Sequence, residues 1–261
     1  MTSNVTGVIT TVAETLSPEE IERIKEIRHG LYGFFGSLLD IGKIDQGVFY
    51  ALIAVFAVIA YLFGSLNFAV IISRLKFGED IRTKGSGNAG ATNMSRTYGK
   101  AAGIFTLLGD IMKTVIPVLI AKILFGDTFG YLIGLCCAIG HAFPCYYKFK
   151  GGKGVAVTAA VVLVMEPMAF LFLLLIFAAT VGTTKYVSLG SVLSACIMPI
   201  LLSNFSAVKY GFKGHLGIVF AIFNAALVVY LHRENIKRLY QGKENKFTFK
   251  KKQKEGKNAE N

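Results

Sequence analysis

Charged residues are scarce in this 261-residue chain, and the scarcity is the first constraint on its class. Asp, Glu, Lys and Arg make up 17% of the residues, against about 25% in an ordinary soluble domain. That deficit argues against a soluble globular protein. The charge that remains is also unbalanced, because 28 basic residues stand against 16 acidic ones and leave a net charge of +12.

Cysteine is also scarce, and its placement argues against a metal site. The four cysteines lie inside apolar runs, and none has zinc-type spacing with paired histidines. Cys136 and Cys137 are adjacent, and adjacent cysteines rarely bridge each other. We therefore expect small buried hydrophobic side chains, with no metal and no cofactor. The first 16 residues also lack a basic segment followed by a continuous apolar one, so no cleaved signal peptide is predicted.

Long apolar runs dominate what is present. Residues 47–73 contain 27 residues without a charge, and about 20 suffice to cross a bilayer. The sequence therefore predicts an all-α integral membrane protein with about seven transmembrane helices, or five by strict hydropathy. Run 154–165 is short, at about 18 Å as a helix, so it is either a half-crossing or re-entrant helix or continues through Glu166 and Pro167. The runs are 47–73, 101–126, 131–147, 154–165, 167–184, 186–208 and 214–231.

Three regions follow from the distribution of charge. Residues 1–46 form a polar extension in which Ser17 is expected to cap a short surface helix, and residues 47–236 form the membrane domain. Residues 237–261 form a lysine-rich tail. Basic residues exceed acidic ones in the loops 74–100 and 148–153 and after His232, so the positive-inside rule places these segments in the cytoplasm. Seven crossings would then put the N-terminus outside.

Residues 85–96 form a small, polar, glycine-rich segment between two apolar runs. It satisfies G-x-G-x-x-G, but no βαβ pattern surrounds it and Asp110 lies in an apolar run, so a dinucleotide fingerprint is rejected. Glycine N–H groups, hydroxyls and an arginine can instead hold a phosphate. The alternative is a flexible interhelical loop. The candidate phosphate-binding residues are Ser86, Gly87, Asn88, Gly90, Thr92, Asn93 and Arg96.

A second polar segment joins His141 to a loop in which lysines alternate with glycines, residues 148–154. Lysines at a membrane boundary attract anions, although the positive-inside rule alone could account for them. The string is not a Walker motif, because Gly154 follows Lys153 where Ser or Thr is required. Asp110 and Lys113 lie three residues apart on one helix face and are expected to pair, either to position the neighbouring loop or to act in catalysis.

These motifs, with two further ones, occur in an order typical of one family. They are Gly64-Ser65, residues 85–96, Gly140-His141-x-Phe143-Pro144 continuing to residues 148–156, Ser188-Leu189-x-Ser191 and His232-Arg233-x-Asn235-Ile236. Over roughly residues 50–245 the chain resembles the bacterial acyl-phosphate-dependent glycerol-3-phosphate acyltransferases of PlsY type. It departs from them at Asn67, where a proline commonly follows the Gly-Ser pair, and in its long N-terminal extension and tail.

The resemblance implies a multi-pass enzyme of the bacterial inner membrane with its site facing the cytoplasm. It would transfer a fatty acyl group from acyl phosphate to the sn-1 hydroxyl of glycerol 3-phosphate, giving lysophosphatidic acid and phosphate. Catalytic roles fall to Ser65, His141 and His232, and positioning roles to Asp110 and Lys113. The residues implied to bind glycerol 3-phosphate are Lys148, Gly151, Gly152, Lys153, Gly154, Ser188 and Asn235. The expected partners are membrane lipids and, through functional coupling, the enzyme that makes acyl phosphate. Binding of nucleic acid is not expected.

Two questions stay open at this level. The proton of the attacking hydroxyl is taken either by His141 or His232 or by the phosphate of the donor itself. The alternative function is a transporter of a phosphorylated metabolite, although no repeated half is apparent and the motifs gather near one membrane face. Acyl-CoA-dependent enzymes typically carry H-x-x-x-x-D. None of the four histidines has an aspartate five positions on, which favours acyl phosphate.

Overall fold

The computed structural model describes Ser17, residues 46–210 and residues 215–247. The predicted surface helix after Ser17, the loop around Lys213 and the far end of the tail lie outside these residues. Throughout the described part the regular structure is helical, without a strand. Its helices are α1 (Gln46–Ser65), α2 (Phe68–Phe77), α3 (Ala91–Tyr98), α4 (Lys100–Phe125), α5 (Asp127–Ala142), α6 (Val155–Met165), α7 (Pro167–Thr184), α8 (Val187–Tyr210), α9 (His215–Leu231) and α10 (Arg233–Tyr240).

The prediction of an all-α integral membrane protein is confirmed. Five helices, α1, α4, α5, α7 and α8, are long and apolar enough to cross a bilayer, and α9 with α10 forms a further pair bent by 58°. Helix α6 is apolar but has only 11 residues. It does not run on into the next span, because the chain breaks at Glu166 and Pro167 opens α7.

The apolar run 47–73, predicted as one span, is divided into two helices. Helix α1 ends at Ser65, and α2 begins after Asn67, whose side-chain Oδ1 accepts a hydrogen bond from the N–H of Val70 at 3.1 Å. This is N-capping, which satisfies a backbone donor that the first turn leaves without an intrahelical partner. The break is therefore present although the proline common in the family is replaced here by asparagine.

Helix α5 lies at the centre of the bundle, in contact with α1, α4, α6 and α9. Two glycines permit its close approach to α1. A Cβ on Gly64 would lie 2.4 Å from the carbonyl oxygen of Cys137, and a Cβ on Gly140 2.3 Å from that of Tyr61. Outward-facing side chains such as Phe105 and Ile123 are more than half exposed. Apolar exposure of this kind suits contact with lipid.

The short elements and the loops between them lie together at one end of the bundle. A small apolar cluster, which includes the buried side chains of Ile81, Ala89 and Met94, packs within this end of the bundle. The packed structure also continues beyond residue 236, the predicted end of the membrane domain. Helix α10 runs to Tyr240, and the N–H of Phe247 donates to the carbonyl of Lys185 at 2.7 Å.

Candidate active site

The glycine segment and the lysine–glycine segment lie side by side, and Arg82 joins them. Its Nη1 donates to the carbonyls of Tyr147, at 2.8 Å, and Lys150, at 3.1 Å. Asp80 orients the guanidinium through bonds of 2.7 and 3.0 Å. The hydrogen bonds from Arg82 hold the pKa of the Asp80 carboxyl well below its ordinary value. Arg82 was not among the predicted site residues, because an arginine in a basic loop between membrane helices has the simpler explanation of an orientation signal.

The glycine segment is shaped from within by Asn93. This side chain is buried, its Oδ1 accepts from the N–H of Ser86 at 3.0 Å, and its Nδ2 donates to the carbonyls of Lys84 and Asn88. Gly87 has a φ of 72°, which disfavours other residues. The polar atoms of Asn93, which was predicted to bind phosphate, are therefore hydrogen-bonded within the loop. Ser86 and Gly87 are exposed at the surface of the loop.

The lysine–glycine segment packs directly on His141. The N–H of Gly152 donates to the carbonyl of His141 at 3.1 Å, and the N–H of Gly151 to that of Ala142. A Cβ on Gly152 would lie 2.1 Å from His141 Nε2 and 2.8 Å from the carbonyl oxygen of Ala89, which belongs to the glycine segment. Gly152 is thus the point where the two loops and the histidine meet, and only glycine fits there.

Asp110, Lys113 and His141 form a buried triad. Lys113 Nζ lies 2.8 Å from Asp110 Oδ1, outside hydrogen-bonding angles, and 2.9 Å from His141 Nδ1, and it donates to the carbonyl of Leu66 at 2.6 Å. The predicted pairing is confirmed. Because an ammonium only donates, we assign the lone pair to His141 Nδ1 and its proton to Nε2. The Nδ1 lone pair is therefore already occupied by Lys113.

His232 has the opposite tautomer. It lies at the bend between α9 and α10, is buried, and its Nδ1 is 2.8 Å from the carbonyl oxygen of Val228. A carbonyl only accepts, so Nδ1 carries the proton and the lone pair of the neutral ring is on Nε2. Of the two histidines predicted to be catalytic, His232 is the one whose lone pair, in this assignment, is bound by no donor among the residues that the structure describes.

Lys153, Ser188, Asn235, Arg238 and Glu244 form a connected polar group, the lysine cluster. Lys153 Nζ donates to Asn235 Oδ1. Asn235 Nδ2 donates to Glu244 Oε1 at 2.7 Å, and that oxygen also accepts from Ser188 Oγ at 3.0 Å. The structure thus brings together three residues predicted to bind glycerol 3-phosphate, from three separate segments of the chain.

Positive charge is concentrated around Lys153 in the lysine cluster. Burial, with the nearby positive charges of Arg238 and Arg96, lowers the pKa of Lys153 to about 8. Arg96 also donates to the carbonyl of Asn245 at 3.0 Å, which ties the end of the glycine segment to the chain beyond α10. A concentration of cations at one end of an apolar bundle favours binding of a phosphate group.

The remaining predicted site residues occupy supporting positions. Ser65 is fully buried where α1 meets α5, and its Oγ donates to the carbonyl of Tyr61 at 2.8 Å. Lys148 is exposed, and Gly154 precedes α6 with a φ of 77°. Gly90 precedes α3, and Thr92 lies in its first turn. Glu244 and Arg238 were not among the predicted site residues, and Glu244 is one of three acidic residues in a lysine-rich tail, with no motif to mark it out.

Known glycerol-3-phosphate acyltransferases are similar to this chain over most of its length. A family model described as glycerol-3-phosphate acyltransferase matches residues 54–242. A glycerol-3-phosphate acyltransferase of Clostridioides difficile is 43% identical over 203 residues, covering 76% of this chain and 96% of the relative. A crystal structure of PlsY, an integral membrane glycerol 3-phosphate acyltransferase, in its glycerol 3-phosphate form has a TM-score of 0.68 and 38% identity, covering 75% of this chain and 96% of that one. Its lysophosphatidic acid form gives 0.66 and 35%, covering 76% and 96%.

Proposed function

Since the chain belongs to the glycerol-3-phosphate acyltransferase family, we propose that it transfers a fatty acyl group from acyl phosphate to the sn-1 hydroxyl of glycerol 3-phosphate. The products are lysophosphatidic acid and inorganic phosphate. The observation that carries this proposal is the lysine cluster, where Lys153, Ser188 and Asn235 converge beside the glycine segment. Family membership favours an enzyme over the transporter alternative.

The two loops suit two phosphate groups. The lysine cluster would bind the phosphate of glycerol 3-phosphate, with Lys153 as its principal cation and Ser188 and Asn235 as hydrogen-bonding partners. The glycine segment, with the exposed Ser86 and Gly87 and with Arg96 at its end, would bind the phosphate of the acyl donor. Contact between the loops at Gly152 would hold the two substrates in fixed relative positions, and such alignment lowers the barrier of a two-substrate reaction.

The reaction needs only one bond exchange. The sn-1 hydroxyl oxygen attacks the acyl carbonyl carbon, the bond from that carbon to the phosphate oxygen breaks, and phosphate leaves with the electron pair. The donor is already activated, so the site has to align two anions and stabilise negative charge on the carbonyl oxygen. The hydroxyl proton passes either to His232 Nε2 or to a phosphate oxygen of the donor. His141 acts by positioning, because Lys113 occupies its Nδ1 and Gly152 covers its Nε2.

The location follows from the same charge pattern. Loops 74–100 and 148–153 and the segment after His232 are the basic parts of the chain, and the structure brings all three to the candidate site. By the positive-inside rule this end of the bundle lies on the cytoplasmic side of a bacterial plasma membrane. An enzyme that makes acyl phosphate would supply the donor from that side.

The experiment is a direct assay of the purified protein in detergent or lipid. Palmitoyl phosphate and glycerol 3-phosphate are expected to give lysophosphatidic acid and one phosphate per acyl group transferred. Palmitoyl-CoA in place of palmitoyl phosphate is expected to give neither product. Turnover of the CoA donor at an equal rate would contradict the proposed donor, and absence of lysophosphatidic acid with both donors would contradict the proposed function.

A further inference from the structure

Glu244 is a buried carboxylate in a segment rich in lysine. It is 8% exposed, and both of its oxygens are bound. Oε1 accepts from Asn235 Nδ2 at 2.7 Å and Ser188 Oγ at 3.0 Å, and Oε2 accepts from Arg238 Nε at 2.8 Å. Burial of a carboxylate is tolerated when its oxygens are hydrogen-bonded. These bonds, against the effect of burial, lower the pKa of Glu244 below its ordinary value, so it is charged at neutral pH.

The bond to Asn235 decides which way that amide points. Nδ2 can only donate, so its contact with Glu244 turns Oδ1 towards Lys153, and Lys153 Nζ donates to it. The carboxylate of Glu244 therefore influences, through two successive hydrogen bonds, the direction in which the Lys153 ammonium points. With the side chain of Glu244 removed, Asn235 Nδ2 would lose its acceptor in this group, and Lys153 alone would hold the amide.

The segment that carries Glu244 is fastened on three sides. The N–H of Lys243 donates to the carbonyl of Arg238 at 2.8 Å, and that of Phe247 to the carbonyl of Lys185 at 2.7 Å. Arg96 donates to the carbonyl of Asn245 at 3.0 Å. The segment thus links α10, the turn between α7 and α8, and the glycine segment, so it holds Glu244 at a defined depth in the site.

We propose that Glu244 is a positioning residue of the glycerol 3-phosphate site, where it orients Asn235, Ser188 and Arg238 and so aims the ammonium of Lys153 at the substrate phosphate. This inference rests on the proposed function. Glu244 is not expected to touch the substrate, because its two oxygens are directed at protein donors.

The other possible role is a plug, in which the carboxylate occupies the place of the substrate phosphate and competes with it. The contacts favour positioning. Lys153 directs its ammonium to Asn235 Oδ1, whereas the carboxylate is bound by Asn235, Ser188 and Arg238. A plug would be expected to take the principal cation for itself.

The test compares E244Q and E244A with E234Q, a matched control at an exposed carboxyl on α10. E244Q keeps the size of the side chain but loses its charge and sets an amide against Arg238 or Asn235. Both Glu244 variants are expected to raise KM for glycerol 3-phosphate about tenfold or more, with KM for palmitoyl phosphate within about twofold of wild type. E234Q is expected to match wild type in both.

The pH profile provides a readout that a merely structural residue would not move. The negative charge of Glu244 raises the pKa of Lys153, against burial and the neighbouring arginines. In E244Q the alkaline decline of kcat/KM for glycerol 3-phosphate is therefore expected at lower pH than in wild type. Thermal unfolding is measured in parallel, and E244Q carries the test if E244A does not fold.

Binding of glycerol 3-phosphate, measured by calorimetry on the same proteins, separates the two proposals. Wild type that binds glycerol 3-phosphate but makes no lysophosphatidic acid would contradict the proposed function only, and weaker binding to E244Q would still support the role of Glu244. An active wild type with unchanged KM and pH profile in E244Q would overturn the role of Glu244 only. A lower KM in E244Q would also overturn it, in favour of a plug. Wild type without binding or turnover would overturn both.

Discussion

Two charged groups lie within this bundle, and they differ in how far the lysine of each is enclosed by protein. In the buried triad the side chains of Lys113 and Asp110 are 1% and 3% exposed, and the ammonium contacts Asp110, the carbonyl of Leu66 and His141. In the lysine cluster, Lys153 is half-buried and its pKa is lowered to about 8. The first group is closed around its own charges, whereas the second keeps a cation at a site that an anion can reach.

The difference separates two roles that residue types alone do not distinguish. Both groups contain a lysine and a carboxylate, and each lies near a histidine in the sequence motifs. The closed group links α4, α5 and the break between α1 and α2, while the open one is the proposed binding site for a phosphate. We therefore expect changes in the triad to appear first in stability and changes in the lysine cluster to appear first in the kinetics of glycerol 3-phosphate.

The largest expected effect is on stability, from K113M. Removal of one partner leaves Asp110 as an uncompensated buried charge, which costs about 3–5 kcal/mol. The double variant D110N/K113M is expected to recover most of that loss, measured as unfolding in mixed micelles. The matched control is K122M, also on α4, whose ammonium pairs with Asp127 at 3.6 Å, both side chains being 29% exposed, and donates to the carbonyl of Val164 at 2.9 Å. K122M is expected to cost no more than about 2 kcal/mol, because it loses an exposed ion pair and one hydrogen bond. Equal losses for the two single variants would remove the distinction between closed and exposed pairs.

K153A is expected to have the largest effect on catalysis. It deletes the principal cation of the lysine cluster, so kcat/KM for glycerol 3-phosphate should fall by about a hundredfold or more while the thermal midpoint changes little. K237A, at an exposed lysine of α10, serves as the control for a general loss of positive charge. If both variants lose activity equally, the effect is one of overall charge rather than of a site.

The two histidines test the same contrast through opposite tautomers. H232Q removes the Nε2 lone pair, and if that atom accepts the hydroxyl proton, kcat should fall by about a hundredfold or more. H141Q breaks a contact of the triad and is expected to lower stability more than kcat. The rates are followed against pH with both substrates saturating. A retained kcat in both variants would exclude a histidine base and leave the donor phosphate as the proton acceptor.

The smallest effect concerns pH. Lys153 is charged below its pKa of about 8 and loses its proton as the pH rises through that value, so kcat/KM for glycerol 3-phosphate should decline above about pH 8. A bound phosphate stabilises the ammonium, so the decline in kcat should begin at higher pH. K153R keeps its charge throughout this range. A K153R enzyme with the same alkaline decline would assign the titration to another group.

Much of the fold could be predicted from hydropathy. Where the structure differs from that prediction, the difference has a physical cause. The end of α6 at Glu166 was one of two alternatives, and Pro167 at the start of α7 is the reason that it prevails. The break in the run 47–73 has no signal in hydropathy, although it falls at Asn67, where the chain departs from the family pattern. Hydropathy averages over direction, and a single Asn67 among apolar residues barely lowers it, although its side chain caps a new helix.

The candidate site could be predicted only in part, because some of its residues stand in recognisable motifs and others do not. Lys153, Ser188 and Asn235 stand in recognisable motifs, and the structure joins them. Arg82 and Glu244 carry equally specific contacts but stand in loops or tails where charge has a simpler explanation. Their partners lie far along the chain or across the site, and such pairings depend on packing that local sequence does not encode.

The sequence by itself determined that this is an all-α membrane protein of one acyltransferase family with basic, glycine-rich loops, because hydropathy and motif spacing are local properties of the chain. Only the tertiary structure decided which lysine is enclosed and which is available, which nitrogen of His141 and of His232 carries the proton, and that Glu244 bonds to Ser188 and Asn235. Those outcomes depend on which donors and acceptors meet when distant helices pack, and a buried polar atom takes its role from the partner that it finds there.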